Sequence, residues 1–288
     1  MSRPRIFVLT LLAMLAFAGN SLLCRAAFHA TRIDAASFTT IRVVSGALAL
    51  WLIVRAQRGK GEAAGSWASA AALFAYAAAF SFAYLSLSAA SGALLLFGAV
   101  QATMIGVGLW RGERLRPWQL LGLACALGGL VGLLLPGLSA PPPHGAALML
   151  VAGVAWGVYS LRGKGAGDPL RATAGNFLRA VPFAAALSAA MLASASFDVS
   201  GAALAVASGA LTSGIGYAIW YTALPGLKAA SAATVQLSVP LIAALGGIVL
   251  LGEPLTLRLV LASVAILGGI AMVIAEKRST ASAARVRA

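Results

Sequence analysis

Apolar residues fill most of the chain in runs of about 20, separated by short polar turns. Since the hydrocarbon core of a bilayer is about 30 Å thick, a run of roughly 20 helical residues is enough to cross it. The pattern therefore predicts ten membrane-spanning helices. Their expected positions are residues 6–27, 35–55, 67–88, 91–110, 117–135, 145–162, 171–194, 200–223, 229–250 and 256–275.

The composition agrees with this pattern. Hydrophobic residues make up 61% of the chain and charged residues only 10%, far from the roughly 25% charged content of soluble domains. The formal net charge of +14 would suggest a nucleic-acid partner in a soluble chain. Here the basic residues sit in short turns without interleaved aromatics, which argues against nucleic acid. Residues 277–288 are expected to form a disordered, basic tail in the cytoplasm.

The basic residues also predict an orientation. Cytoplasmic loops of membrane proteins are enriched in Lys and Arg. With both termini in the cytoplasm, only Arg25, Arg32 and Arg258 fall outside, and Arg42 and Arg179 lie within spans. We therefore expect a multi-pass protein of a bacterial inner membrane with an even number of spans.

An internal repeat appears when the sequence is shifted by 140 positions. The shift places AASGA (89–93) over AASAA (229–233), GERL (112–115) over GEPL (252–255), and LGG (127–129) over LGG (267–269). Two units, 1–138 and 139–276, would each contain five spans. Because five is odd, they would enter the membrane in opposite directions, an arrangement typical of secondary transporters. The predicted fold is an all-α membrane protein with two inverted five-helix repeats around a central cavity.

These features resemble a known family. The five-plus-five plan, the paired turns WRGERLRPWQLLGLACALGG and LLGEPLTLRLVLASVAILGG, and the AAS entries to the fourth and ninth spans are similar to the EamA-type drug/metabolite transporter superfamily. The aromatic positions resemble most the YddG branch, exporters of aromatic amino acids and methionine. The resemblance implies alternating access between the two repeats and transport of a small molecule.

Polar and aromatic residues inside spans are the candidate cavity lining. Gln236 and Pro240 lie one turn apart in the ninth span, where Pro240 would free the Gln236 carbonyl. They form either a site and hinge or a packing kink. Asn20 would bind substrate or bridge helices. The remaining candidates are Tyr76, Phe80, Tyr84, Phe97, Gln101, Trp156, Tyr159 and Tyr217.

Arg42 and Arg179 are the charged residues predicted inside spans, each costing about 2.5–3.5 kcal/mol on insertion scales. Either could hold a substrate carboxylate. The alternative is a structural charge that pairs with helix carbonyls or reaches an interface, and their matching positions in the two repeats favour it.

No acidic residue falls in the middle of a predicted span, which argues against a buried proton site and favours facilitated movement. The two histidines, His29 and His144, are expected in external loops without a carboxylate partner, so an intramembrane enzyme is disfavoured. We expect no metal or cofactor. We expect the protein to contact a small-molecule substrate and membrane lipid. The sequence leaves open whether it is a monomer or a homodimer. The predicted function is export of small amphipathic metabolites, foremost amino acids; the alternative is export of drugs, nucleosides or other metabolites, with possible proton coupling.

Overall fold

The computed structural model describes residues 1–57, 64–112, 114–137, 140–163, 167–227 and 235–286, with side chains as far as residue 274. Every regular element in these ranges is helical. The helices are α1 (Arg3–Ala30), α2 (Ala35–Ala56), α3 (Trp67–Tyr84), α4 (Ala89–Trp110), α5 (Pro117–Leu134), α6 (Pro143–Gly163), α7 (Pro169–Ala190), α8 (Val199–Val206), a π-helical segment (Ala207–Ile215), α9 (Gly216–Ala223), α10 (Ser238–Leu251) and α11 (Leu257–Val286).

Short polar side chains set the starts of several helices. The Asp34 carboxylate accepts hydrogen bonds from the backbone amides of Ala36 and Ser37, both at 2.9 Å, and so begins α2. Partial burial raises the pKa of Asp34, but hydrogen bonds from Ser37, Ser196 and Ala36 outweigh burial and lower it below its ordinary value. Asp168 and Asp198 cap α7 and α8 in the same way. These caps satisfy amides that have no partner within the helix.

Within the described residues, eight helices are long and apolar enough to cross a membrane, counting α8, the π-helical segment and α9 as one. Two of the ten predicted spans are not among them. The seventh is helical, as α7, but Arg171, Asn176 and Arg179 reduce its hydropathy. The ninth is described only as the 14-residue α10.

The ninth span differs from the prediction of a long helix kinked at its middle. A turn at Leu237 interrupts the helix, and Pro240 lies in the first turn of α10. Proline is tolerated there because first-turn amides have no acceptor within the helix. The predicted AASAA entry, residues 229–233, lies outside the described residues.

Several boundaries also differ. The third helix ends at Tyr84 rather than near residue 88, because Ser88 caps α4 with its side chain on the Ser91 amide. The last helix continues to Val286, well beyond the expected end at residue 275. The added stretch, 276–286, contains three Ala, two Arg, one Lys and one Glu and has no Gly or Pro, and these residue types favour the helix.

Close helix packing relies on glycine. Gly122 of α5 faces Gly269 of α11 so closely that a Cβ on Gly122 would come within 2.6 Å of the Gly269 carbonyl oxygen. Small residues allow this approach in membranes, where apolar surface alone drives little association. Other faces carry exposed large apolar side chains, among them Phe7, Trp110 and Val249, as expected for contact with lipid.

Candidate functional site: an aromatic cluster around a buried arginine

A continuous chain of ring contacts runs through the centre of the helical bundle. We call it the aromatic cluster; it draws on α1, α3, α6, α7 and α9. Its members are Phe17, Tyr76, Phe80, Tyr84, Trp156, Tyr159, Phe177, Tyr217, Trp220 and Tyr221. Six of these residues were candidates in the sequence, and the fold brings those six together.

Trp156 joins the two sides of the aromatic cluster. Its ring centroid lies 4.8 Å from that of Tyr76 on α3 and 5.5 Å from that of Tyr217 on α9, the latter in a stacked arrangement with an interplanar angle of 17°. Tyr159 on the same helix lies 5.2 Å away. Tyr76, Tyr159 and Tyr217 are buried, whereas Trp156 keeps part of its surface exposed. The cluster thus offers flat apolar faces with phenol groups at their edges.

A polar network crosses the bundle beside the rings. Asn20 on α1 donates from Nδ2 to the Tyr76 hydroxyl at 3.2 Å, and its Oδ1 accepts from the Ser208 hydroxyl at 2.7 Å. The Thr212 hydroxyl donates to the Ser208 carbonyl at 2.6 Å and lies 3.4 Å from Asn20 Oδ1. Asn20 therefore bridges three elements, and all of these groups are buried.

The π-helical segment supplies two members of this network. Ser208 and Thr212 are four residues apart within Ala207–Ile215, where the wider turn places both hydroxyls toward Asn20. Segments of π-helix occur often at functional sites. The sequence prediction missed these residues, although the run SGALTSG in an apolar span was a visible signal.

Arg42 on α2 is the charge at the centre. Only 2% of its surface is exposed. Its Nη2 donates to the Tyr76 hydroxyl at 3.0 Å, and its guanidinium carbon lies 4.8 Å from the Phe80 ring centroid and 5.2 Å from that of Tyr76. Within the described residues, its Nη1 is buried without a hydrogen-bond partner.

Arg179, its counterpart in the sequence repeat, has a different environment. Its Nη1 donates to the carbonyls of Ala64 at 2.9 Å and Gly175 at 3.0 Å. Both acceptors are backbone groups at the end of the bundle where α3 begins. The two arginines therefore differ in their contacts: Arg179 donates to backbone carbonyls, whereas Arg42 lies against aromatic rings and donates to one hydroxyl.

Other candidates lie elsewhere. Gln101 is buried but lines a groove between α4, α5 and α11, together with apolar residues such as Leu123 and Ile266. Phe97 is buried on α4 and makes no ring contact with the cluster in the described part of the chain. Gln236 is half-buried just before α10. These three positions are not assembled with the aromatic cluster.

An ion pair lies at one end of the bundle. The Glu253 carboxylate accepts from Arg25 Nε at 3.0 Å and from the Ala89 backbone amide at 2.8 Å. Arg25 also donates to the Tyr84 carbonyl at 3.2 Å. Glu253 follows a glycine just before α11, where a carboxylate would favour the start of its own helix, but its side chain caps α4, which is distant in sequence. Glu113, its repeat counterpart, lies outside the described residues.

Carboxylates with described side chains occupy helix ends. Asp34, Asp168 and Asp198 cap helices, and Glu253 caps α4. Over the part of the chain that the structure describes, no three His, Cys, Asp or Glu side chains group as a metal site would require. The chemistry of the centre is therefore that of aromatic faces, neutral hydroxyl and amide groups, and one cation.

The chain is similar in sequence to known proteins. The profile of the EamA-like transporter family matches residues 143–275. A Pseudomonas aeruginosa protein named "Uncharacterized protein PA1977" is 59% identical over 279 residues, covering 96% of this chain and 97% of that protein.

A solved structure titled "Crystal structure of protein" superposes with a TM-score of 0.67 at 20% identity, covering 94% of this chain and 98% of its own. At that identity the likeness concerns the fold alone. Taken with the eight apolar helices found among the described residues, these matches show a multi-pass membrane protein whose residues 143–275 form a domain of the EamA-like transporter family, within the drug/metabolite transporter superfamily.

Proposed function

We propose that the protein is a facilitative exporter of amino acids, foremost aromatic amino acids and methionine, as in the YddG branch. The observation that carries this proposal is the aromatic cluster wrapped around Asn20, Arg42 and Tyr76. Ring faces suit an apolar side chain, and the amide, hydroxyl and guanidinium suit the polar end of an amino acid. An amphipathic solute would satisfy both parts of the site at once.

Alternating access would need two matching bundles, and the helix contacts support an inverted repeat of five plus five spans. Three pairs relate a helix to its own counterpart: α2 packs on α7, α4 on α10 and α5 on α11. The packing of α3 on α6 has its mirror in α1 against α8, the π-helical segment and α9. Such reciprocity is expected when two copies of one unit face each other across a midplane.

The position of the carboxylates supports a facilitative mechanism. Proton coupling through a carboxylate would require one at membrane depth, and those described lie at helix ends instead. The basic residues in the turns support an inner-membrane location with both termini in the cytoplasm. In that orientation the ion pair of Arg25 and Glu253 lies at the external end.

Counterflow in proteoliposomes tests the proposal. Purified protein is reconstituted and loaded with unlabelled phenylalanine, and uptake of labelled phenylalanine, methionine, threonine and a nucleoside is followed with and without an imposed proton gradient. We expect amino-acid counterflow that the gradient does not change. Trp156→Ala should reduce it about tenfold or more, because a large stacking surface is lost.

Trp110→Ala is the matched control, since this tryptophan is 86% exposed at the end of α4. It should leave flux unchanged. Nucleoside flux without amino-acid flux would overturn the substrate assignment and favour another metabolite. Flux that occurs only with a proton gradient would overturn the facilitative mechanism.

A further inference from the structure

The buried charge at the centre of the bundle has no counter-ion among the described residues. Arg42 is almost fully buried on α2. Asp34 is taken up by a helix cap and Glu253 by Arg25, and Asp168 and Asp198 cap α7 and α8. A buried guanidinium without an anion is costly, because it gives up hydration that aromatic rings and one hydroxyl replace only in part.

Two hydrogen-bond donors are available at the same place. Arg42 Nη1 has no partner in the described part of the chain. The Tyr76 hydroxyl accepts from Asn20 and from Arg42 Nη2, so its own proton remains free to donate outward. Arg42 Nη2 lies 3.0 Å from the Tyr76 hydroxyl oxygen, so the unpartnered Nη1 and the phenol O–H belong to two side chains in direct contact beside the rings.

We propose that Arg42 and Tyr76 form the binding site for the carboxylate of the transported solute. The inference rests on the proposed function and deepens it: the transported class is carboxylates with an apolar, preferably aromatic, side chain. Nη1 and the Tyr76 hydroxyl each donate to the carboxylate, and the solute supplies the missing negative charge. Solutes that carry only a positive charge are disfavoured, because the same guanidinium repels them.

Arg179 shows what a purely structural arginine looks like in this fold. Its guanidinium bonds two backbone carbonyls at 2.9 and 3.0 Å and contacts no described aromatic ring. Arg179 is also absent from the buried side chains that lack a hydrogen-bond partner in the described part of the chain. Arg42, in contrast, keeps Nη1 buried without a partner among the described residues, and a bound anion would satisfy this donor.

Competition by three ligands of similar shape tests this inference in the wild-type protein. Phenylalanine carries both charges, 3-phenylpropanoate only the carboxylate, and phenethylamine only the ammonium group. Each competes with labelled phenylalanine in counterflow and is tested for thermal stabilisation of the purified protein. We expect 3-phenylpropanoate to act at least tenfold more strongly than phenethylamine, since a hydrogen-bonded charge contributes roughly 10- to 100-fold in affinity.

Arg42→Gln should lose this preference, whereas Arg42→Lys should keep part of it. Arg179→Gln is the matched control and should preserve it. Equal or stronger action by phenethylamine in the wild-type protein would overturn the inference even if no Arg42 variant folds, and so would an absence of stabilisation by 3-phenylpropanoate.

The two proposals fail separately. Amino-acid flux without a preference for carboxylates would overturn the proposed carboxylate site at Arg42 and leave the proposed exporter function standing. The opposite outcome is thermal stabilisation by 3-phenylpropanoate but not by phenethylamine, with no amino-acid flux. It would overturn the proposed exporter function and leave the proposed carboxylate site standing.

Discussion

Glu253 is expected to stabilise the fold more than a surface carboxylate does. Its side chain is 10% exposed and that of Arg25 is 18% exposed. Glu253→Ala removes the acceptor for the Ala89 amide and for Arg25 Nε, two hydrogen bonds to a charged group. Such bonds contribute about 1.5–3 kcal/mol each, and partial access of water to Arg25 reduces the total to about 2–4 kcal/mol.

Thermal unfolding of purified protein in detergent measures this loss. At about 2–4 °C per kcal/mol for a chain of this size, we expect the melting temperature to fall by roughly 4–16 °C. The melting temperature of Glu253→Gln should fall less, because the glutamine amide oxygen still accepts a hydrogen bond from the Ala89 amide.

A double-mutant cycle with Arg25→Ala separates the ion pair from the helix cap. Residues in direct contact show coupling of about 0.5–3 kcal/mol, so the double variant should be more stable than the sum of the single losses predicts. Strict additivity, or a Glu253→Ala protein as stable as wild type, would refute the reasoning.

Three further outcomes follow from single features. Gly122→Leu should lower the melting temperature by several degrees because its side chain would meet α11, whereas Gly128→Leu, with no atom within 4 Å of its Cβ position, should not. Ser208→Ala should cost about 1 kcal/mol by removing a buried hydrogen bond, and Thr222→Ala, on an exposed hydroxyl, should cost less. Burial raises and hydrogen bonds more strongly lower the pKa of Asp34, so its charge stabilises the fold above the ordinary pKa. This contribution is lost as pH falls through the lowered value, and the melting-temperature difference between wild type and Asp34→Asn should shrink below pH 3.8.

Helix positions were largely predictable, because runs of apolar residues and capping side chains are local signals. Asp34 and Asp168 begin helices within two residues of the predicted starts. The ring contacts among Tyr76, Phe80 and Tyr84 also follow from their spacing of four residues.

Contacts between side chains of different helices were less predictable. Nothing in sequence spacing indicates that Gln101 faces α5 and α11 or that Glu253 reaches the start of α4, since helix rotation and long-range pairing are set by packing. The matched spacing of Arg42 and Arg179 suggested one shared structural role, yet their surroundings differ because ring-bearing residues flank only Arg42.

The π-helical segment connects the hydroxyl groups of the polar network to the rings on α9, so one change in its backbone would move both. Ser208 and Thr212 lie on it, and Tyr217 and Trp220 follow directly on α9. A π turn holds more residues than an α turn, so conversion to α-helix would rotate everything beyond it by up to one residue, about 100°. Hydroxyls and rings would then lose register with Asn20 and Trp156 in the same movement. A change confined to the backbone of residues 207–215 would therefore alter the polar network and the aromatic cluster together.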